Sequence, residues 1–134
     1  MLVAPEYVLK IFKGLEHGDG AAFFAHVAED VDWTVMGTHP LAGHYLSKSD
    51  FIAGTFAKLS LVLPRGTQLH VKHLIVKDNE VVVELHSLAT ASNGMRFDNR
   101  YCWVVLFEGG IIVRVRAYLD SAMVAQLFKE NPIA

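Results

Sequence analysis

A chain of 134 residues has room for one hydrophobic core, so a single domain over residues 1–134 is expected. Hydrophobic residues make up 52% and charged residues 19%, against roughly 45–50% and about 25% in ordinary soluble domains, and this apolar surplus points to a lined cavity or a subunit interface. A net charge of −2, with the 12 Lys and Arg scattered, offers nucleic acid no electrostatic footprint, and no apolar run approaches the roughly 18 residues of a membrane span.

The opening Met1-Leu2-Val3-Ala4-Pro5-Glu6 lacks a signal peptide's basic and long apolar segments, so a soluble, cytoplasmic protein is expected. Pro5 suits a first helical turn, and Val8, Leu9, Phe12 and Leu15 recur at helix spacing until Gly18. Asp19 caps a second helix whose apolar stripe is Phe23, Phe24 and Val27, ahead of Glu29 and Asp30. Val31-Asp32-Trp33-Thr34-Val35 alternates with period two and turns Val31, Trp33 and Val35 to one face of a short strand. Residues 37–44 carry turn formers with no sustained period and read as a loop. Ser47 with Asp50 resembles a capping box for a third helix, continued by Phe51, Ile52, Thr55, Phe56 and Leu59 and ended at Pro64-Arg65-Gly66.

From Thr67 the period becomes two, and turns at Asp78-Asn79, Ser92-Asn93-Gly94 and Gly109-Gly110 divide the remainder into four long antiparallel strands. The last two are apolar on both faces, which suits a curved sheet wrapped over helices. The single cysteine, Cys102, excludes an intramolecular disulfide and is expected as an inert core thiol within the run from Tyr101 to Phe107. Asp120-Ser121 caps a last short helix through Met123, Val124, Leu127 and Phe128.

This order makes an α+β cone, with a mainly antiparallel, strongly curved sheet over three N-terminal helices. Together with His17-Gly18-Asp19, the run from Glu29 to Trp33, Leu41-Ala42-Gly43, Asn99-Arg100-Tyr101-Cys102-Trp103 and Arg114-Val115-Arg116-Ala117-Tyr118-Leu119-Asp120, it resembles the nuclear transport factor 2-like (NTF2-like, cystatin-like) superfamily. Within it, the resemblance is to the branch of SnoaL polyketide cyclases and ketosteroid isomerases. The resemblance implies an isomerase site of one carboxylate base plus a tyrosine and a neutral carboxylic acid, and alignment puts Ile11, Val35 and Trp103 at those positions. The Asp–Arg–Asp group of related epoxide hydrolases falls on Leu85, Ser87 and Ala117, and Ala117 also replaces an acidic residue of the closing motif. Neither catalytic set is expected to operate.

If the cone is right, alternation turns Leu85, Ser87, Ala89, Asn99, Tyr101, Trp103, Val115 and Ala117 inward. The candidate ligand-binding set is Trp33, Val35, Phe56, Leu85, Ser87, Asn99, Tyr101, Trp103 and Ala117, with simple core filling as the open alternative. Trp33 and Trp103 offer flat apolar faces with one N–H donor each, and as plain core residues they need a buried acceptor. Candidate catalytic groups are Tyr101 as proton donor to an oxyanion, Asn99, and His39 in the loop over the mouth, with His44 also able to reach a ligand. Asn99 has a competing structural reading through hydrogen bonds to its neighbouring turn.

Other polar residues read as structural. His70 and His73, three apart on a strand, face opposite sides, and no metal-ligand spacing occurs, so no metal and no cofactor are expected. His17 and His26 lie on helices outside the apolar stripes, and His86 with Glu84 suggests a surface or interfacial ion pair. Asp120 is explained as a helix cap, and Asp32 alternates away from Trp33. The reading is a domain that binds an apolar, cyclic or polyketide-like small molecule, with cofactor-independent isomerisation, cyclisation or dehydration as its chemistry. It is expected to pair as a homodimer through the outer face of the sheet, with no nucleic-acid or membrane partner. A non-catalytic dimeric interaction domain and an enzyme built on a dyad such as His39 with Asp32 remain open. An interior completely filled by its own side chains would exclude ligand binding.

Overall fold

The computed structural model describes residues 2–133. Helix α1 (Pro5–Glu16) carries Pro5 and Glu6 in its first turn and Lys13 in its last, as the helix dipole favours, and buries Val8, Ile11, Phe12 and Leu15. Helix α2 (Gly20–Phe24) is capped by Asp19, whose carboxylate accepts from the Ala22 N–H at 3.1 Å. Val27, expected on that helix, instead opens strand β1 (Val27–Val35). Only the second half of β1 alternates cleanly because its register against the neighbouring strand shifts between Val27 and Asp32.

The expected loop contains strand β2 (Gly43–Tyr45), too short to show a period and held by pairing Thr34 with His44. The expected third helix is two, α3 (Lys48–Gly54) and α4 (Phe56–Val62), broken at Thr55, where φ is −129° and ψ −84°. The Thr55 hydroxyl donates to the Phe51 carbonyl at 2.7 Å, one way a β-branched hydroxyl residue bends a helix. Gly54 makes room there for the Tyr45 ring, which a Cβ would approach to 2.5 Å. Tyr45 in turn donates to the Leu41 carbonyl at 2.9 Å and pins the loop.

Strands β3 (Leu69–Lys77), β4 (Glu80–Ser87), β5 (Arg100–Glu108) and β6 (Ile111–Leu119) form the expected antiparallel meander. Gly109 and Gly110, at φ 57° and 81°, supply the left-handed backbone that a tight hairpin needs. Strand β1 adds beside β6 in parallel, giving an open mixed sheet of order β2-β1-β6-β5-β4-β3. Helix α5 (Ser121–Glu130) follows, capped as expected by Asp120, which accepts from the Met123 N–H.

The helices cover one sheet face only. Val81, Val83, Leu85, Trp103, Val105, Val115 and Ala117 are buried on it, while Val82, Cys102, Val104 and Leu106 are half-exposed on the other. Cys102 is therefore an outer-face thiol and not a core one. Pairing moves from Val71 with Leu85 to His73 with Glu84, so Lys72 is an extra bulged residue. The bulge places His70 and His73 on the same outer face, contrary to strict alternation. His86 lies 5.6 Å, ring to ring, from His70 rather than pairing with Glu84.

The interior holds two apolar clusters. The larger packs α1, α2 and Phe51 against the sheet. The smaller gathers Leu41, Leu59, Leu63, Phe97, Val124 and Leu127 beneath α5 and the connection from β4 to β5.

Candidate functional site

A cavity of about 50 Å³ lies at the seam of these clusters. Trp33, Phe51, Leu69, Trp103 and Ala117 wall it from the larger cluster, and Leu41 and Leu59 from the smaller. The Trp33 ring stacks on Phe51 with centroids 3.8 Å apart and meets Trp103 edge-on at 5.2 Å. The interior is thus neither empty nor completely filled: the volume suits a few waters, well below the roughly 300–1,000 Å³ of typical ligand pockets.

A groove of about 340 Å³ runs outside it, between Gly18, Ala21, Phe24, Ile52, Ser60 and Arg65. Phe56 and Thr67 line both spaces.

Of the expected ligand-binding residues, Trp33, Val35, Phe56, Tyr101, Trp103 and Ala117 line the cavity. Leu85, Ser87 and Asn99 are buried but lie off its wall. Asn99 is held by the backbone: its side-chain oxygen accepts from the Arg100 and Asp120 N–H groups at 2.7 and 3.0 Å, and one of its amide N–H groups donates to the Asp120 carbonyl at 3.3 Å. It clamps the start of β5 to the end of β6. His39 is equally occupied, taking the Leu41 N–H on Nδ1 at 3.2 Å, which makes Nε2 the donor to the Met36 carbonyl at 2.9 Å. That tautomer shapes the loop and leaves neither ring nitrogen for proton transfer. Asp32 lies 2.7 Å from His44 and 3.8 Å from Arg114 on the outer face, so no dyad with His39 forms.

Tyr101 reaches the cavity with its hydroxyl 3.2 Å from Ser87 Oγ. The Ser87 hydroxyl already accepts from the Asn99 N–H and donates to the Phe97 carbonyl, so Tyr101 is the donor of this pair. Burial pushes its pKa from 10 to about 12, only partly offset by the bond to Ser87, and it stays a neutral phenol at physiological pH. The folded state holds that proton more tightly than the unfolded chain. The resulting stability is intact below pH 10 and is lost as pH rises toward about 12. Between pH 9 and pH 12 the protein should lose about 2 kcal/mol more than Tyr101→Phe, measured by urea unfolding at each pH. Equal losses would show that Tyr101 titrates normally.

Sequence patterns missed Leu41, Phe51, Thr55, Leu59, Thr67, Leu69 and Leu119 on the wall. Phe51, Thr55 and Leu59 were visible as a helical stripe, but nothing local said that the stripe faces a void. Among the described residues, no Asp, Glu, His, Lys or Arg lines the cavity, and no group of three potential metal ligands occurs. No helix is long and apolar enough to cross a membrane. The positions aligned with related catalytic carboxylates, Val35, Trp103 and Ala117, are apolar wall. What the arrangement offers is shape, aromatic faces and neutral hydrogen bonds.

Comparison with known proteins agrees with this architecture. The model of the SnoaL-like domain matches residues 8–115. The dimerizing cyclase phiC of a fungal species is 27% identical over 98% of the chain, which spans only 59% of that relative's length. An NTF2-like protein from Burkholderia thailandensis superposes with a TM-score of 0.79 at 25% identity, covering 92% of this chain and 95% of that one. TerC, co-crystallized with polyporic acid, superposes at 0.73 with 22% identity, covering 92% and 96%.

Proposed function

We propose that this chain, which belongs to the SnoaL-like domain family, binds an apolar cyclic small molecule in the cavity behind Trp33, Tyr101 and Trp103. Its chemistry on that ligand is cofactor-independent isomerisation, cyclisation or dehydration of a polyketide-like compound. The carrying observation is the aromatic cavity itself, which shares Phe56 and Thr67 with a groove of ligand size, so that a rotation of Phe56 would join the two. Without a carboxylate on the wall, rate enhancement comes from folding the substrate into a reactive conformer and from neutral donors placed at developing charge. A cyclase relative and a structural neighbour crystallised with an organic acid support a small molecule over a macromolecule.

Tryptophan emission tests this, since both tryptophans line the cavity. Saturable quenching by an apolar cyclic ligand is expected, with affinity reduced at least about tenfold in Ala117→Leu, whose added methyl groups fill the space. Failure of every member of a cyclic-compound panel to quench would refute the reading.

The outer sheet face is assigned to a second copy of the chain. Strand β5 presents Cys102, Val104 and Leu106 as an apolar stripe, with Glu80 and Glu84 on β4 to one side and Arg114 and Arg116 on β6 to the other. A two-fold pairing across β5 sets each acidic edge against the partner's basic edge. Sedimentation at micromolar concentration should show a dimer that Val104→Glu dissociates; a monomeric parent protein would refute it.

A further inference from the structure

We propose that the end of the outer sheet face holds a second ligand site, where Lys72, His86 and Arg100 take a tetrahedral dianion: a phosphate ion or the phosphate group of a monoester. These three residues line one open groove of about 270 Å³. Pairing across β3, β4 and β5 sets His70 beside His86 and His86 beside Arg100, one row of basic side chains on strands about 4.8 Å apart. The bulge at Lys72 crowds this row further, because it exposes Lys72 and His73 in succession where strict alternation would hide one of them. The row lies beyond the Cys102, Val104 and Leu106 stripe assigned to a second copy, and the groove shares no residue with the interior cavity.

Cations brought together on one face repel each other unless an anion joins them. The carboxylates around this row are engaged elsewhere. Glu16 of α1 lies 3.4 Å from His70, and Glu84 opposes His73 in the next row. Asp98, which also lines the groove, is held by Arg96 at 2.7 Å and accepts from the Ala89 N–H at 3.3 Å. Among the described residues, Lys72, His86 and Arg100 have no carboxylate in ion-pair contact. His86 feels the excess: its burial, and then the charges of Lys72, His70 and Arg100, lower its pKa, which Asp98 only partly restores. A dianion reverses that balance. Arg100 can grip two of its oxygens and Lys72 a third, and a proton drawn onto His86 supplies a further donor. A carboxylate, with one charge and two oxygens, would leave part of this set unpaired.

The test titrates sulfate, a dianion throughout the pH range used, into the full chain at constant ionic strength while NMR follows the ring signals of its 7 histidines. Binding should saturate, raise the pKa of His86, and be at least about fivefold tighter near about pH 5.5 than near about pH 8, because the protonated imidazole is the form the anion prefers. His86→Gln assigns the signal and should abolish most of that pH dependence. Arg100→Gln should weaken binding at least about fivefold, and Arg65→Gln, which removes a cation outside the groove, should leave it unchanged. Inorganic phosphate and phenyl phosphate, compared near about pH 8, distinguish the two sources. Tighter binding of phenyl phosphate identifies a monoester, its ring set against the exposed Leu88 of the groove, and equal binding identifies the free ion. Shifts that never saturate, or an equal loss in Arg65→Gln and Arg100→Gln, would overturn the site and leave only a general attraction between the anion and the protein's cations.

Discussion

Replacing Trp33 with alanine should lower the unfolding free energy by about 3–5 kcal/mol, the usual cost of deleting a fully buried large aromatic side chain. Trp33 is 0% exposed and touches both Phe51 and Trp103 in close ring geometry. The adjoining cavity would grow, and the surrounding helices and sheet cannot close it without moving β1. Against the roughly 5–15 kcal/mol that hold an ordinary domain together, such a loss brings the protein close to unfolding. Trp33→Phe should cost far less. It keeps a ring against Phe51 and surrenders an N–H that has no protein partner to lose. Urea denaturation of both variants checks the pair, and a loss below about 1 kcal/mol for alanine would contradict the packing.

Asn99→Ala should destabilise by about 1–3 kcal/mol, because it strands two partly buried backbone N–H groups at once. Those of Arg100 and Asp120 both end on the Asn99 side-chain oxygen. Asp120 also caps α5, so loosening its backbone disturbs the helix that covers the smaller cluster and, through it, one wall of the cavity. Ligand affinity should fall together with stability. If Asn99 instead contacted the ligand directly, binding would fall while urea unfolding stayed unchanged. The two measurements separate a clamp from a binding group.

The sequence made much of the fold legible because its signals are local. Caps at Asp19, Ser47 and Asp120 operate through hydrogen bonds to residues three positions on, and each is present. Alternation along β5 and β6 is equally local, and it correctly separated inward Trp103 and Ala117 from outward Arg114 and Arg116. The same rule misled at Lys72, where the partner strand sets the bulge, while at Cys102 alternation pointed outward and the apolar run around it suggested the core instead. Strand β2 exists only because β1 pairs with it, and the Tyr45 ring it carries packs against Gly54 beside the break at Thr55.

The site was half legible for a related reason. Periodicity can say that Asn99, Ser87 and Tyr101 point inward, but not which inward polar atoms the backbone has already claimed. Asn99 and His39 turned out to be spent on loops and strand ends, while Trp33 and Thr67 were left unpaired. By itself, the sequence determined the family of folds, the apolar character of the interior and the absence of carboxylates from the aligned catalytic positions, all matters of residue type and short-range order. Only the tertiary structure decided where the apolar surplus leaves a void, which side chains wall it and which polar groups the backbone has already claimed. A cavity is a small difference between large packed volumes drawn from distant segments, and no stretch of chain records that difference.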